Sequence, residues 1–339
     1  MEQKLAPDLL SALENGEKPK GKSDKKIARK AYLACMAKSN EGLPLGISIY
    51  NGPYFDAMTQ IDSSVDMQKA VRLIRKAQVD RVALFARSRK RLHQDENNVI
   101  KIANENPDLI VLGAPKYFQH EHDIGSAYIQ ATIDGIDKHG YVFVGEILYT
   151  HADKKSGKQH DSGERYTDPL GRGTKKLLTE LSAKNIPLMT HWEAYATQRD
   201  FPRFHKLYAA WPDQIFIVPH CGFSSAAQAG EILDAHPNVV MTITKKDRTV
   251  NDFSSSKKQG LIGSAMLDNF RIVPEWREFL IRYQDRLMAG TDAHMKRLWG
   301  RYPNLVYQQR VLLGQLEREA AEKIAYKNAE RIYGVRLGR

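Results

Sequence analysis

Residues 186–220 read IPLMTHWEAYATQRDFPRFHKLYAAWPDQIFIVPH. Two short apolar runs, Ile186–His191 and Ile215–His220, each end in a histidine, and a short helix candidate, Phe204–Trp211, lies between them. Near-continuous apolar runs of this length suit strands buried on both faces. A helix-long crossover between two such runs predicts parallel pairing. The same unit recurs in both directions along the chain. Upstream lie GISIY (46–50), RVALFA (81–86), LIVLGAP (109–115) and VFVGEI (142–147); downstream lie VVMTIT (239–244) and RLMAGTD (286–292). Helix candidates fill most of the gaps: Asp66–Ala77 with Val71, Leu73 and Ile74, Ser126–Lys138 with Ile129, Ile133 and Ile136, Gly173–Lys184 with Leu177, Leu178 and Leu181, and Ala226–Ala235.

Eight βα units close most economically as a (β/α)8 TIM-like barrel. The competing open, doubly wound sheet is weaker, because no Gly-rich phosphate loop follows the first run; NGPYFD follows it. Thr244–Pro274 reads as a long insertion after the seventh strand. Gln308–Gly334 reads as one or two outer helices, with Asn328 inside and Gly334 as the stop. Residues 1–44 read as an N-terminal arm and helix whose Lys-rich stretch, Gly16–Lys26, is a solvated tether. Residues 45–339 then form one barrel with a C-terminal helical extension.

Composition narrows the class. Of 339 residues, 42% are hydrophobic and 27% charged, which excludes intrinsic disorder. Two cysteines, Cys35 and Cys221, exclude a disulfide scaffold, and Cys221 reads as buried packing. No apolar run approaches a membrane span, and MEQKLAPDLL lacks a signal-peptide pattern, so a cytoplasmic enzyme that binds no membrane is expected, with export after signal removal as the alternative. Lys and Arg (51) exceed Asp and Glu (40), for a net charge of +11. No nucleic-acid recognition module accompanies that excess, so no nucleic-acid partner is expected. A homo-oligomer stays open.

In a barrel, functional side chains lie at the C-terminal ends of the strands. Glu146, His191, His220 and Asp292 end the fourth, fifth, sixth and eighth runs. Singly each has an ordinary reading, as a cap or a satisfied core residue. Together they place four candidate metal ligands at one barrel end, and two imidazoles with a carboxylate suit Zn²⁺. Cations follow the second, third, seventh and eighth runs: Arg87 and Arg89, then Lys116, then Lys245, Lys246 and Arg248, then Lys296 and Arg297 past Asp292. Their clustering predicts a small anionic substrate, with Arg87, Lys116, Lys245 and Arg248 as binding candidates. His151 and Tyr50 are placed at the mouth with them. His294, two residues past Asp292, is placed to polarise a carbonyl or hold the base. Trp192 and Glu193 flank the ligand His191, and the long polar loop His151–Gly173 is a candidate lid.

The strand ends GEI, THWE, PHCG and AGTDAH, with the C-terminal AEKIAYKNAERIYG (321–334), resemble the amidohydrolase superfamily, in its branch of amidohydrolase-related hydrolases and decarboxylases. The resemblance spans about Leu45–Gly334. It implies a distorted barrel and a divalent metal, usually zinc. Family members normally end the first strand in His-x-His; here Ser48, Tyr50 and Gly52 stand in the expected place. The resemblance then implies one metal on Glu146, His191 and His220, with Asp292 as the catalytic base that activates a water. A metal-free lactonase or decarboxylase-like enzyme, or a noncatalytic ligand-binding barrel, is the alternative.

Overall fold

Eight strands pair in parallel in chain order and close on themselves. In a computed structural model, residues 46–87, 92–116, 122–151, 165–193, 201–244, 265–268 and 270–337 are described. The barrel strands are β1 (Phe55–Ile61), β2 (Arg81–Ala86), β3 (Ile110–Leu112), β4 (Val144–Leu148), β7 (Leu188–His191), β8 (Phe216–Val218), β9 (Val239–Thr242) and β12 (Leu287–Met288). The others, β5 (Thr150–His151) with β6 (Arg165–Tyr166) and β10 (Leu267–Asp268) with β11 (Arg271–Ile272), form two small antiparallel pairs. Hydrogen bonding runs β1-β2-β3 and β4-β7-β8-β9-β12. A parallel bridge from Ala114 to Val144 joins the two sets. Ala57, Gln60 and Asp292 complete the ring with backbone bonds between β1 and the segment after β12. Seven of the eight apolar runs therefore contain the strands expected of them.

The helices form where the sequence provides both an apolar face and terminal signals. Asp66 caps Met67–Lys76 by accepting from the Lys69 N–H, and Ser225 and Gln228 form a capping box on Ala226–Ala235. Gly140 and Asn185 end Ser126–His139 and Arg172–Lys184 in the left-handed conformation that permits an αL stop. Phe201–Ala210 starts earlier than its sequence pattern suggested, and Leu92–Glu105 adds a helix after β2. At the C-terminus, Tyr302–Leu313, Arg318–Glu322 and Asn328–Tyr333 pack on the barrel, with a π turn at Lys323–Lys327. Asn328 is more than a helix-interior residue: its amide donates to the carbonyls of Gln284 and Leu287, tying the helix to β12. Gly334 ends the helix at φ 64°, as expected.

The first strand is a correction. GISIY is not a strand; β1 is the following segment FDAMTQI, buried along its whole length. Tyr50 instead sits below the barrel. Arg310 donates to the carbonyls of Tyr50, Gly52 and Gln78, just ahead of the starts of β1 and β2, and its guanidinium faces the Tyr50 and Tyr54 rings. The Tyr50 hydroxyl donates to Pro53 O, and burial raises its pKa. This guanidinium plug ties together the segments that enter β1 and β2 at the N-terminal end of the barrel, so Tyr50 is not at the mouth. The N-terminal arm (1–44), and most of the expected insertion and lid, lie outside the described residues.

Asp56, fully buried on β1, accepts from Thr291 N–H, Thr291 Oγ1 and the Tyr302 hydroxyl, and so locks β1 to the segment that carries Asp292. Desolvation raises its pKa from 3.8 to about 6, against those hydrogen bonds. The folded state thus holds this proton more tightly than the unfolded chain. Its contribution to stability is full below about pH 4 and is lost, by on the order of 3 kcal/mol, as pH rises through about 6. Asp56→Asn is expected to flatten that part of the stability profile. Denaturant melts of both proteins between about pH 4 and 8 check this; parallel profiles would refute it.

Candidate metal centre

His191, His220 and Asp292 stand at or beyond the C-terminal ends of barrel strands, and Glu146 stands inside β4, which continues to Leu148. Glu146 lies on β4. Its neighbour Gly145 lets β4 approach Ala114, because a Cβ there would meet the Ala114 carbonyl oxygen at 2.5 Å. His191 is the last residue of β7. His220 follows β8 in a turn where His220, Cys221, Gly222 and Phe223 all have positive φ. Asp292 follows β12 at φ 47°. Non-glycine residues in this region cost roughly 1–3 kcal/mol each and persist where the surroundings over-determine them, as at functional sites. The strain here falls on the two loops that present His220 and Asp292.

The four side chains meet. Glu146 Oε1 lies 2.5 Å from His191 Nδ1 and 3.5 Å from His220 Nε2. His220 Nε2 is 4.0 Å from Asp292 Oδ2. Ligand atoms of Glu146, His191 and His220 all fall within 4.8 Å of one another, and all three residues are buried. A tetrahedral ion with bonds near 2.1 Å spaces its ligands about 3.4 Å apart; Glu146 Oε1 and His220 Nε2 already have that spacing, and His191 Nδ1 would have to draw back from Glu146 to admit an ion.

The atoms facing away from this cluster are held as a metal requires. His220 Nδ1 is 2.5 Å from Thr244 Oγ1, which leaves Nε2 turned inward. His191 Nε2 is 3.3 Å from Glu193 Oε1, which leaves Nδ1 turned inward. Glu146 Oε2 takes the Lys116 ammonium and, at 3.2 Å, the Gln60 amide, while Oε1 faces the histidines. Such outer partners fix imidazole tautomers and ligand orientation. The residues therefore fit a divalent ion by their chemistry and by their preset orientation. Thr244→Val is expected to weaken metal binding by about 10–100-fold with the fold intact, as measured by competition with a metallochromic chelator. Unchanged affinity would show that the hydroxyl does not set the His220 orientation.

The other predicted residues are distributed unevenly. His294 Nδ1 lies 2.7 Å from the Asp292 carbonyl oxygen and 3.3 Å from Asp292 Oδ2. His151 stacks on His191 at 5.5 Å and 27°, so it belongs to the cluster. Its ring, His191 and Glu193 form a second group with ligand spacing. Arg87 stands at this end, 3.5 Å from the His294 carbonyl and 3.6 Å from Asp62 Oδ2. Lys116 is a correction: it is 6% exposed and turned onto Glu146, so it is part of the centre and not a cation at the mouth. Trp192 packs on Phe201 and Phe204, as core. Cys221 is buried, as expected. Arg89, Lys245, Lys246 and Arg248 lie outside the described residues, and Lys296 and Arg297 are exposed on the short helix Lys296–Trp299.

Gln60 was missed. Its amide donates to Asp292 Oδ1 at 2.6 Å as well as to Glu146. Gln60 occupies the end of the true first strand, hidden by the misplacement of β1. Thr244 was legible, since it ends the seventh apolar run by the same rule that found the ligands.

A barrel with a buried Glu-His-His triad at its strand ends is the architecture of a metal-dependent hydrolytic or decarboxylating enzyme. The amidohydrolase family model matches residues 140–335, and the chain belongs to that family. No curated protein matches its sequence. Solved structures show the same fold at low identity. One, from Pseudomonas putida, is assigned as a 2-pyrone-4,6-dicarboxylic acid hydrolase; identity is 14%, coverage 84% of this chain and 99% of that one, and TM-score 0.56. An amidohydrolase from Burkholderia multivorans with bound zinc is 10% identical, covering 84% and 100%, at TM-score 0.51. The 2,6-dihydroxybenzoate decarboxylase from Rhizobium is 11% identical, covering 83% and 98%, at TM-score 0.50. None of the described helices is long and apolar enough to cross a membrane.

Proposed function

We propose that the chain is a hydrolase that cleaves an amide, ester or lactone bond in a small anionic substrate, using one divalent metal, zinc by the family's usual choice. The observation that carries the reading is the convergence of Glu146 Oε1, His191 Nδ1 and His220 Nε2, with Asp292 Oδ2 beside them. A divalent ion on this triad supplies Lewis acidity and lowers the pKa of a water. Asp292 is the base: it takes the proton of the attacking water and returns it to the leaving group. Gln60 holds Oδ1 of Asp292, which leaves Oδ2 for the proton. His294, against both the carbonyl and the carboxylate of Asp292, fixes that orientation and faces the same end as Arg87. Arg87 and His151 are the described candidates for binding an anionic group; Lys245 and Arg248, which follow β9 in sequence and lie outside the described residues, are candidates from sequence alone. The dicarboxylic acid in the name of the P. putida fold neighbour accords with an anionic substrate.

The test is hydrolysis of a panel of small carboxylate-bearing esters, amides and lactones by protein stripped of metal and then reloaded. Turnover that vanishes on stripping and returns with one equivalent of Zn²⁺ supports the reading. One observation favours a second reading, a metal-free lactonase: Lys116 and Glu193 engage the triad directly. Turnover indifferent to stripping would establish that reading in place of the first.

A further inference from the structure

The centre contains a cation of its own. Lys116 reaches inward from just past β3 and, with Gln60, converges on a single oxygen, Glu146 Oε2. Gln60 continues to Asp292 Oδ1, so Lys116 stands on the side of Glu146 that leads to Asp292, while the two histidines occupy the Oε1 side. A buried ammonium is costly unless a carboxylate pairs with it, so this lysine has a definite partner. Gln60 Oε1 is buried and makes no hydrogen bond among the described residues. Glu146 Oε2 and Asp292 Oδ1 converge on the Gln60 amide nitrogen, and an amide turned over would offer Oε1 to the same corner as a third oxygen of the kind that hard divalent cations take.

Charge leads to the same place. Glu146, Glu193 and Asp292 are buried carboxylates, and Lys116 is the buried ammonium among them. Together they leave two units of negative charge, which one divalent ion cancels; a second ion would leave the buried cluster as positive as it began negative. We propose that the Lys116 ammonium stands in the place of a second metal ion on the Oε2 side of Glu146, so that the centre takes one divalent ion and no more. This rests on the metal reading of the Glu146, His191 and His220 triad and assigns Lys116 as the residue that sets its stoichiometry. Gln60 is a positioning residue that links Glu146 to Asp292.

Titration with Mn²⁺ tests this without any assay of turnover. Bound ion is counted by equilibrium dialysis, and electron paramagnetic resonance reports whether two ions are close enough to couple. Wild type is expected to bind one Mn²⁺ with an uncoupled signal. Lys116→Ala, which frees the corner and its negative charge, is expected to bind two with a coupled signal. Lys116→Gln covers the case in which alanine unfolds the chain. It retains much of the side chain's length, offers an oxygen of its own, and is also expected to admit the second ion. Circular dichroism confirms the fold of each variant. One ion in wild type and still one in the folded variants overturns the proposal, as does a wild type that takes two, for instance with the second at His151, His191 and Glu193. A wild type that takes none overturns the metal reading itself, and this inference with it.

Discussion

Replacement of Glu146 by glutamine is expected to cost the protein both its metal and a large part of its stability. The carboxylate gives one oxygen to the histidine side of the centre and the other to Lys116 and Gln60. Its amide isostere removes the only charged member of the proposed ligand triad. Metal affinity is expected to fall by at least about 100-fold, beyond the effect of disturbing an outer partner alone. Lys116, with an 8% exposed side chain, stays in place without the Glu146 charge. Breaking a buried ion pair from one side destabilises by about 3–5 kcal/mol, because the surviving charge remains out of water. The double variant Glu146→Gln/Lys116→Met removes both charges and is expected to recover most of that loss while still binding no metal. Urea melts of the metal-free proteins distinguish these outcomes. A single variant as stable as wild type would mean that Lys116 and Glu146 are not a paired buried charge.

Asp292→Asn is expected to leave the fold and the metal in place and to reduce turnover by about 10²–10⁴-fold, the range for loss of a positioned general base. The backbone at this position has φ 47°. Asparagine tolerates that region better than most residues, so the substitution adds little strain. The Gln60 amide can still donate to the side-chain oxygen, and the backbone N–H of residue 292 still bonds Met58 O. The asparagine amide cannot accept the proton. The loss should therefore appear in kcat with KM nearly unchanged, on whichever ester, amide or lactone the wild type hydrolyses. Full activity in the folded variant would remove Asp292 from the base role.

The barrel and its four central residues were legible because strand-end placement is a rule of backbone geometry. His191, His220 and Asp292 lie at or after strand ends, and Glu146 lies near the end of its apolar run although β4 continues to Leu148. The first strand was not legible for a physical reason. GISIY is more apolar than FDAMTQI, yet the latter is the strand. Asp56, Thr59 and Gln60 are polar and buried, and each finds its partner on another element: Asp56 on Thr291 and Tyr302, Thr59 on the Ala83 carbonyl of β2, Gln60 on Glu146 and Asp292. Hydropathy cannot see a polar group satisfied by residues far along the chain. The same blindness applied to Lys116. Sequence placed it correctly after the third strand, but whether it turns to solvent or to a carboxylate is decided by Glu146, on the next strand. Tyr50 followed the misplaced strand, and the Arg310 plug that holds it comes from the other end of the chain.

Metal content tests the central claim most directly. Protein purified without chelator, or dialysed against zinc and freed of excess, should carry one equivalent of divalent metal by elemental analysis. Asp292→Asn should retain it, and a His191→Ala/His220→Ala double variant that still folds should lose it. Wild-type protein that remains without stoichiometric metal after exposure to zinc, manganese and iron(II), while hydrolysing substrate unaffected by chelation, would contradict the account.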